Sequence, residues 1–273
     1  MIGRDSIRMP SLRAAAPFRS ALLCAALMAA ALAAQSARAA LHATEEFVSG
    51  KTRPVKIALL PVHVELQKQK MIRREAEVHE GGELEEYLAN SVEHELSSRG
   101  YEVKRITSDI INADPKLQEL VIDADRRYGE LLTQVSVKLA RQVAQRRYKA
   151  GDEMKLLAAR LGVDAIAFTR MQMIAAGKGV QVLNFGMGGT QTMLSVSLID
   201  GATADIEAYL TLPIMKRGQA FGGYEDIMKD PDHEMGRLAA AVFDEMPNAD
   251  PSLRAARPAG GDVVKDVESL LGQ

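Results

Sequence analysis

An α/β fold is predicted by three observations. Strand-like and helix-like segments alternate through the middle of the chain, and glycines stand where the predicted helices should end. The last strand-like pair is joined by a short Asp-Gly turn. Taken in order, Val55–Val62 is a β-branched and aliphatic run, entered by Pro54 and interrupted by Pro61, which reads as a largely buried first strand. The charged, glutamine-containing stretch from Glu65 to Glu80, closed by Gly81 and Gly82, reads as a solvated loop or irregular helix. From Glu83 the period becomes helical: Leu84, Tyr87, Leu88, Val92 and Leu96 form one apolar stripe, and Gly100 takes the helix-ending position. Tyr101–Ile106 then alternates as a short strand.

Pro115 opens a long helical region with Leu117, Leu120, Val121, Ala124, Tyr128, Leu131, Leu132, Val135, Leu139 and Val143 on one face. Roughly thirty residues of helix would span about 50 Å, with Gly129 the expected place for a bend or split. Two arrangements fit: a coiled-coil arm or oligomer contact, and two helices packed back on a sheet. After Gly151 a second helix runs from Asp152 to Arg160 with Met154, Leu157, Ala158 and Leu161 inward. Gly162 ends it, and Val163–Thr169 is the next buried strand, a unit suited to an α/β crossover. Val180–Phe185, Thr192–Asp200 and Ala204–Leu210 read as strands, with turns at Gly186–Gly189 and Gly201-Ala202. A final helix, Pro231–Met246, turns Met235, Leu238, Val242 and Phe243 inward and stops at Pro247.

The first forty residues bear on location. Arg4, Arg8, Arg13 and Arg19 precede an uncharged Ala/Leu-rich run, Ala21–Ala34, which ends near the small-x-small site Ala37-Arg38-Ala39. That order is a secretory signal peptide. As helix the run is roughly 21 Å long, short of a hydrocarbon core of about 30 Å. The predicted organisation is therefore a signal peptide at 1–39, a linker at 40–53, a single α/β domain at 54–247 and a disordered tail at 248–273. Cleavage after Ala39 leaves 234 of the 273 residues, enough to bury about 70 % of the unfolded chain's surface. The leader's five arginines and Asp5 carry +4, so the whole-chain charge of −2 leaves about −6 on the remainder. That sign disfavours nucleic acid as a partner. The sole cysteine, Cys24, lies inside the leader, so no disulfide, thiol nucleophile or thiolate metal site is expected after export. Leu23 stands before Cys24, where a lipid-accepting site needs a small residue.

Four stretches carry a resemblance: Lys56–Pro61, Ser98-Arg99-Gly100-Tyr101, Leu161–Ile166 and Ser197–Ile206. Over roughly residues 54–247 the chain resembles the TolB N-terminal-like α/β domain, shared in outline with the curli-secretion lipoprotein CsgG and with penicillin-binding-protein activator lipoproteins. The family often has Thr-Gly in the turn before the last strand, where this chain has Ala204. The resemblance implies a mixed sheet flanked by helices, with a long helical region and a C-terminal β-hairpin plus helix. It also implies a non-enzymatic accessory protein of the periplasm, peripheral to the outer membrane if membrane-associated, which acts in envelope assembly, secretion or regulation through contact with an envelope protein or with its own copies. A periplasmic hydrolase whose site forms only by tertiary approach is one alternative. An oligomeric export component in which residues 177–192 insert in a membrane is the other.

No catalytic, cofactor or metal residues are assigned from sequence. His42, His63, His79, His94 and His233 include no pair at helical ligand spacing, and His94-Glu95 lacks the second histidine of a zincin. His63 and Glu65 share a face at the end of the first strand, where α/β proteins bind ligands, yet two side chains do not make a metal site. Glu83, Glu85 and Glu86 suit a helix N-terminus. Asp123, Asp125, Arg126 and Arg127 suit a solvated helix face. Ser195 and Ser197 lie in an alternating strand and not in a nucleophile elbow, and Gly186–Gly189 lacks the order of a phosphate loop. Arg141, Arg146, Arg147 and Lys149, with Lys138, form a basic run expected to meet anionic lipid, cell-wall polymer or an acidic protein. Basic residues near a helix C-terminus are also favourable with no ligand at all.

Overall fold

The computed structural model describes residues 39–69, 74–76, 78–135, 143, 148–176, 191–215 and 224–249. Its sheet has eight strands: β1 Ala40–Ala43, β2 Lys56–Leu59, β3 His63–Gln69, β4 Arg74–Ala76, β5 Glu102–Arg105, β6 Ala165–Ala176, β7 Gln191–Asp200 and β8 Ile206–Met215. The helices are α1 Glu45–Ser49, α2 Val78–Ser98, α3 Ser108–Ala113, α4 Pro115–Val135, α5 Asp152–Leu161, α6 Tyr224–Lys229 and α7 Pro231–Val242. The strand order is β1-β8-β7-β6-β2-β5, with β2 parallel to β5 and β6 and the remaining pairs on that path antiparallel. This is the α/β class expected from the alternation of elements, and its sheet is mixed.

Alternation along the strands builds two cores. Ile57 and Leu59 of β2, with Ala165, Ala167, Met171 and Met173 of β6, point to one face. There they meet the stripe Leu84, Leu88, Val92 and Leu96 of α2 and Met235, Leu238 and Val242 of α7. Ala58, Ile166 and Phe168 point to the other face, against Leu117, Val121, Ala124 and Tyr128 of α4 and Met154, Leu157 and Leu161 of α5. The sheet therefore lies between two helical layers, the arrangement that buries both faces of a parallel centre. Among the described residues no helix is long and apolar enough to cross a membrane.

Four sequence expectations change. The segment 40–53, read as a linker, carries β1 and α1: β1 pairs with β8 from Ala40↔Thr211 to Ala43↔Ala208, and Phe47 is fully buried. The stretch after Glu65 is not a loop, because β3 runs to Gln69 beside β6 in parallel register from His63↔Arg170 to Gln69↔Ala176. Val62, Val64 and Leu66 alternate into the core, a period-2 signal hidden among charged neighbours. Gly81 and Gly82 lie inside α2 and do not punctuate its start; a Cβ on Gly81 would stand 2.9 Å from the Val64 carbonyl oxygen, so glycine lets the helix approach β3. At the other end the packed chain reaches Ala249, whose N–H donates to the Arg99 carbonyl at 2.8 Å.

The helical region after β5 is divided at Asp114 and not at Gly129, through which α4 runs unbroken. Asp114 Oδ1 accepts the N–H groups of Lys116 and Leu117 at 3.1 and 3.2 Å, satisfying the first turn of α4. The continuation at 136–142 and 144–147, the predicted strand and turn within 177–190, and residues 250–273 lie outside the described residues. The Arg160 guanidinium, donating to Asp114 at 2.5 Å, and then the Leu117 amide hold the Asp114 carboxyl below its ordinary range. A lowered folded value contributes stability that is complete above the unfolded value near 3.9 and is lost as pH falls through the folded one. The difference in urea midpoint between wild type and Asp114→Asn is thus expected to be largest at neutral pH and to shrink below about pH 4. A difference constant from pH 7 to pH 3 would show that the charge is not used.

The β7–β8 hairpin turns through Gly201, where a Cβ would meet the Ala158 Cβ at 2.6 Å. Ala204 adopts φ +61°, the left-handed conformation that glycine takes at lower cost. Glu207 presents its carbonyl to Thr44 N–H at 2.9 Å, extending the β1–β8 pairing by one residue.

Candidate functional site

The described surface gathers its polar side chains at the carboxyl end of β2 and along β3 and β6. Because Val62, Val64 and Leu66 enter the core, His63 and Glu65 must face the other way. Because Met171 and Met173 enter the same core, Arg170 and Gln172 face with them. The register then sets His63, Arg170, Ser195 and Thr211 in one row across four strands, and Glu65, Gln172 and Met193 in the next.

Arg170 organises the row. Its Nη2 donates to Asp125 Oδ1 of α4 at 2.8 Å, its guanidinium lies 5.2 Å from the centre of the Tyr128 ring, and its carbonyl accepts Ser195 Oγ at 3.4 Å. Tyr128 stacks on Phe168 at 4.4 Å and shares a hydrogen with Ser197 Oγ at 2.5 Å; burial pushes its phenol up, so the hydroxyl stays protonated. Ser195 also bonds Tyr209. Both serines are buried and spent on these bonds, which matches their reading as strand residues and not nucleophiles. Gln172 Nε2 donates to Glu65 Oε2 at 3.0 Å. His63 is exposed between two carboxylates: Nδ1 lies 3.9 Å from Glu85 Oε1 of α2, and Nε2 lies 3.8 Å from Asp125 Oδ2.

His63 and Glu65 are thus on one face at a strand end, as the sequence indicated, and Glu85, Asp125, Arg170 and Gln172 join them. Asp125, read from sequence as part of a solvated helix face, instead turns to Arg170 and His63, while its neighbours do form such a face: Arg126 pairs with Asp123 and Glu130 at 3.2 Å each. Among the described residues no group of three or more histidine, cysteine or acidic side chains could hold a metal ion. A separate groove of about 600 Å³ between α2, α6 and α7 is lined by Glu83, Leu84, Glu86, Tyr87, Met228 and Pro231. Its Glu86 is engaged by Arg105 at 2.6 Å.

Of the basic run, Lys149 is exposed and forms an antiparallel bridge with Asp205, beside Ala150 N–H donating to the Ala204 carbonyl at 2.8 Å. Arg141, Arg146 and Arg147 lie outside the described residues.

No family model matches the chain, and no curated protein matches it. Among solved structures it is similar to a PelC dodecamer from Paraburkholderia phytofirmans, at 9 % identity over 75 % of this chain and 95 % of that one, TM-score 0.31. A PelC variant dodecamer from the same organism gives 14 % identity over 70 % and 86 %, TM-score 0.30. The lipoprotein GNA1162 from Neisseria meningitidis gives 12 % identity over 69 % and 99 %, TM-score 0.30. No residue role is carried over from them, and the TolB-like and CsgG-like reading stays with the short sequence stretches that suggested it.

Proposed function

We propose that this chain is an exported accessory protein of the bacterial envelope, non-enzymatic, working in the periplasm or against the outer membrane by presenting surfaces to a partner protein. The observation that carries this reading is the N-terminal sequence, basic residues followed by a 14-residue apolar run and Ala37-Arg38-Ala39. A cysteine-free chain after Ala39 suits an oxidising compartment. The resemblance supplies the accessory role. The stretches that carry it perform structural work in the fold: a central strand, a helix end, a crossover entry and a hairpin turn.

The partner surface is assigned to Arg141, Arg146, Arg147 and Lys149. Of these, Lys149 forms an isolated antiparallel bridge with Asp205. Crosslinking in intact cells, followed by affinity recovery, tests the assignment with Arg146→Ala/Arg147→Ala beside wild type. Recovery of a specific envelope protein is expected to fall at least several-fold in the double variant, with an unchanged unfolding midpoint. Light scattering on the recovered material separates self-assembly from a different partner. Equal recovery from both chains removes the basic run from the proposal.

A further inference from the structure

We propose that His63 is a proton-sensitive brace between α2 and α4, tightening the hold of both helices on the start of β3 when its ring is charged and loosening it when neutral. The inference rests on geometry and is independent of the export reading. α2 packs on one face of the sheet and α4 on the other, and His63 stands where both can be reached. Each acceptor is already fixed from behind. Glu85 Oε1 takes the Val64 N–H at 3.2 Å, and Asp125 Oδ1 takes Arg170 Nη2 at 2.8 Å. The imidazole then has Glu85 Oε1 3.9 Å from Nδ1 and Asp125 Oδ2 3.8 Å from Nε2.

That placement discriminates between protonation states. A neutral imidazole carries one N–H and one lone pair, so in either tautomer one nitrogen turns a lone pair toward a carboxylate. Imidazolium alone sets a positive charge within ion-pair distance of both carboxylates. Two other charged groups flank the ring with opposite effects, Arg170 opposing a charged imidazole and Glu65 favouring it. Arg170, in register with His63, is committed to Asp125 and to the Tyr128 ring, and Glu65 on the same strand adds a third carboxylate, itself held by Gln172. Histidine is the side chain whose ordinary titration spans pH 5 to 8.

Amide exchange of the full chain, followed by NMR from pH 8 to pH 5.5 and corrected for intrinsic rates, reads the brace at Val64, whose N–H bonds Glu85. Val196 in β7 serves as the reference away from His63. Protection at Val64 relative to Val196 is expected to rise about two- to five-fold as pH falls, the size of a half-exposed ion pair. His63→Gln and Asp125→Asn should each abolish the rise; His63 is exposed, so its variant retains the core. A pH-independent ratio in wild type, or an unchanged rise in His63→Gln, overturns the proposal.

Discussion

Replacing Arg99 by methionine is expected to destabilise the fold by about 3–5 kcal/mol, read as a lowered urea midpoint with an unchanged slope. Arg99 is 1 % exposed, although arginine is rarely buried. Its Nη1 donates to the Glu95 carbonyl at 2.9 Å and to the Glu95 carboxylate, and its Nη2 donates to the Phe243 carbonyl at 2.7 Å. Methionine fills the space but removes this cation from beside a buried carboxylate. The cost comes from that lost pairing, so the double variant Glu95→Leu/Arg99→Met should recover much of the loss. Equal destabilisation in the single and double variants would instead place the cost in packing. The same residue holds the chain's exit. Ala249 donates to the Arg99 carbonyl, and the Tyr101 hydroxyl donates to the Pro247 carbonyl at 2.8 Å. Burial pushes the Tyr101 phenol up, so it remains the donor.

Phe47→Ala is expected to cost about 3–5 kcal/mol in the same measurement, the range for emptying a buried aromatic site. Phe47 is the apolar anchor of α1, and everything around it is arranged to keep it in the core. Thr44 caps the helix by accepting the Phe47 N–H at 3.2 Å and donates its own hydroxyl to the buried Glu207 carboxylate, which Thr52 also reaches at 2.9 Å. Arg53 gathers the carbonyls of Phe47 at 3.1 Å, Val48 at 2.6 Å and Asn248 at 2.5 Å. One guanidinium therefore joins the segment before β2 to the segment after α7. A cost below about 1 kcal/mol, the size expected of a surface substitution, would return residues 40–53 to the status of a linker.

These two segments mark where reading the sequence reached its end. Ala40-Leu41-His42-Ala43 is short, weakly patterned and followed by charge, so nothing local announces a strand. It becomes one because β8 offers it an edge some 170 positions away, from Ala40↔Thr211 onward. β3 failed for a related reason: its alternation was legible, but Glu65, Gln67 and Lys68 outweighed Val64 and Leu66 until β6 was known to lie alongside. The candidate site follows the same logic. His63 and Glu65 could be placed on one face from strand periodicity, whereas Glu85, Asp125 and Arg170 arrive from three other elements.

By itself the sequence determined the α/β class, the apolar stripes of α2, α4, α5 and α7, the αL glycines at Gly100 and Gly162, and the β7–β8 hairpin. These are consequences of local sterics and of the 3.6- and 2-residue periods, which act within a few residues along the chain. Only the tertiary structure decided that residues 40–49 and 248–249 belong to the packed body, that Arg99 is buried, and that one exposed imidazole meets carboxylates from helices on opposite faces of the sheet. Buried ion pairs and edge strands depend on which distant backbone closes beside them. That choice is made by the burial of whole faces and is not written in any single stretch of the chain.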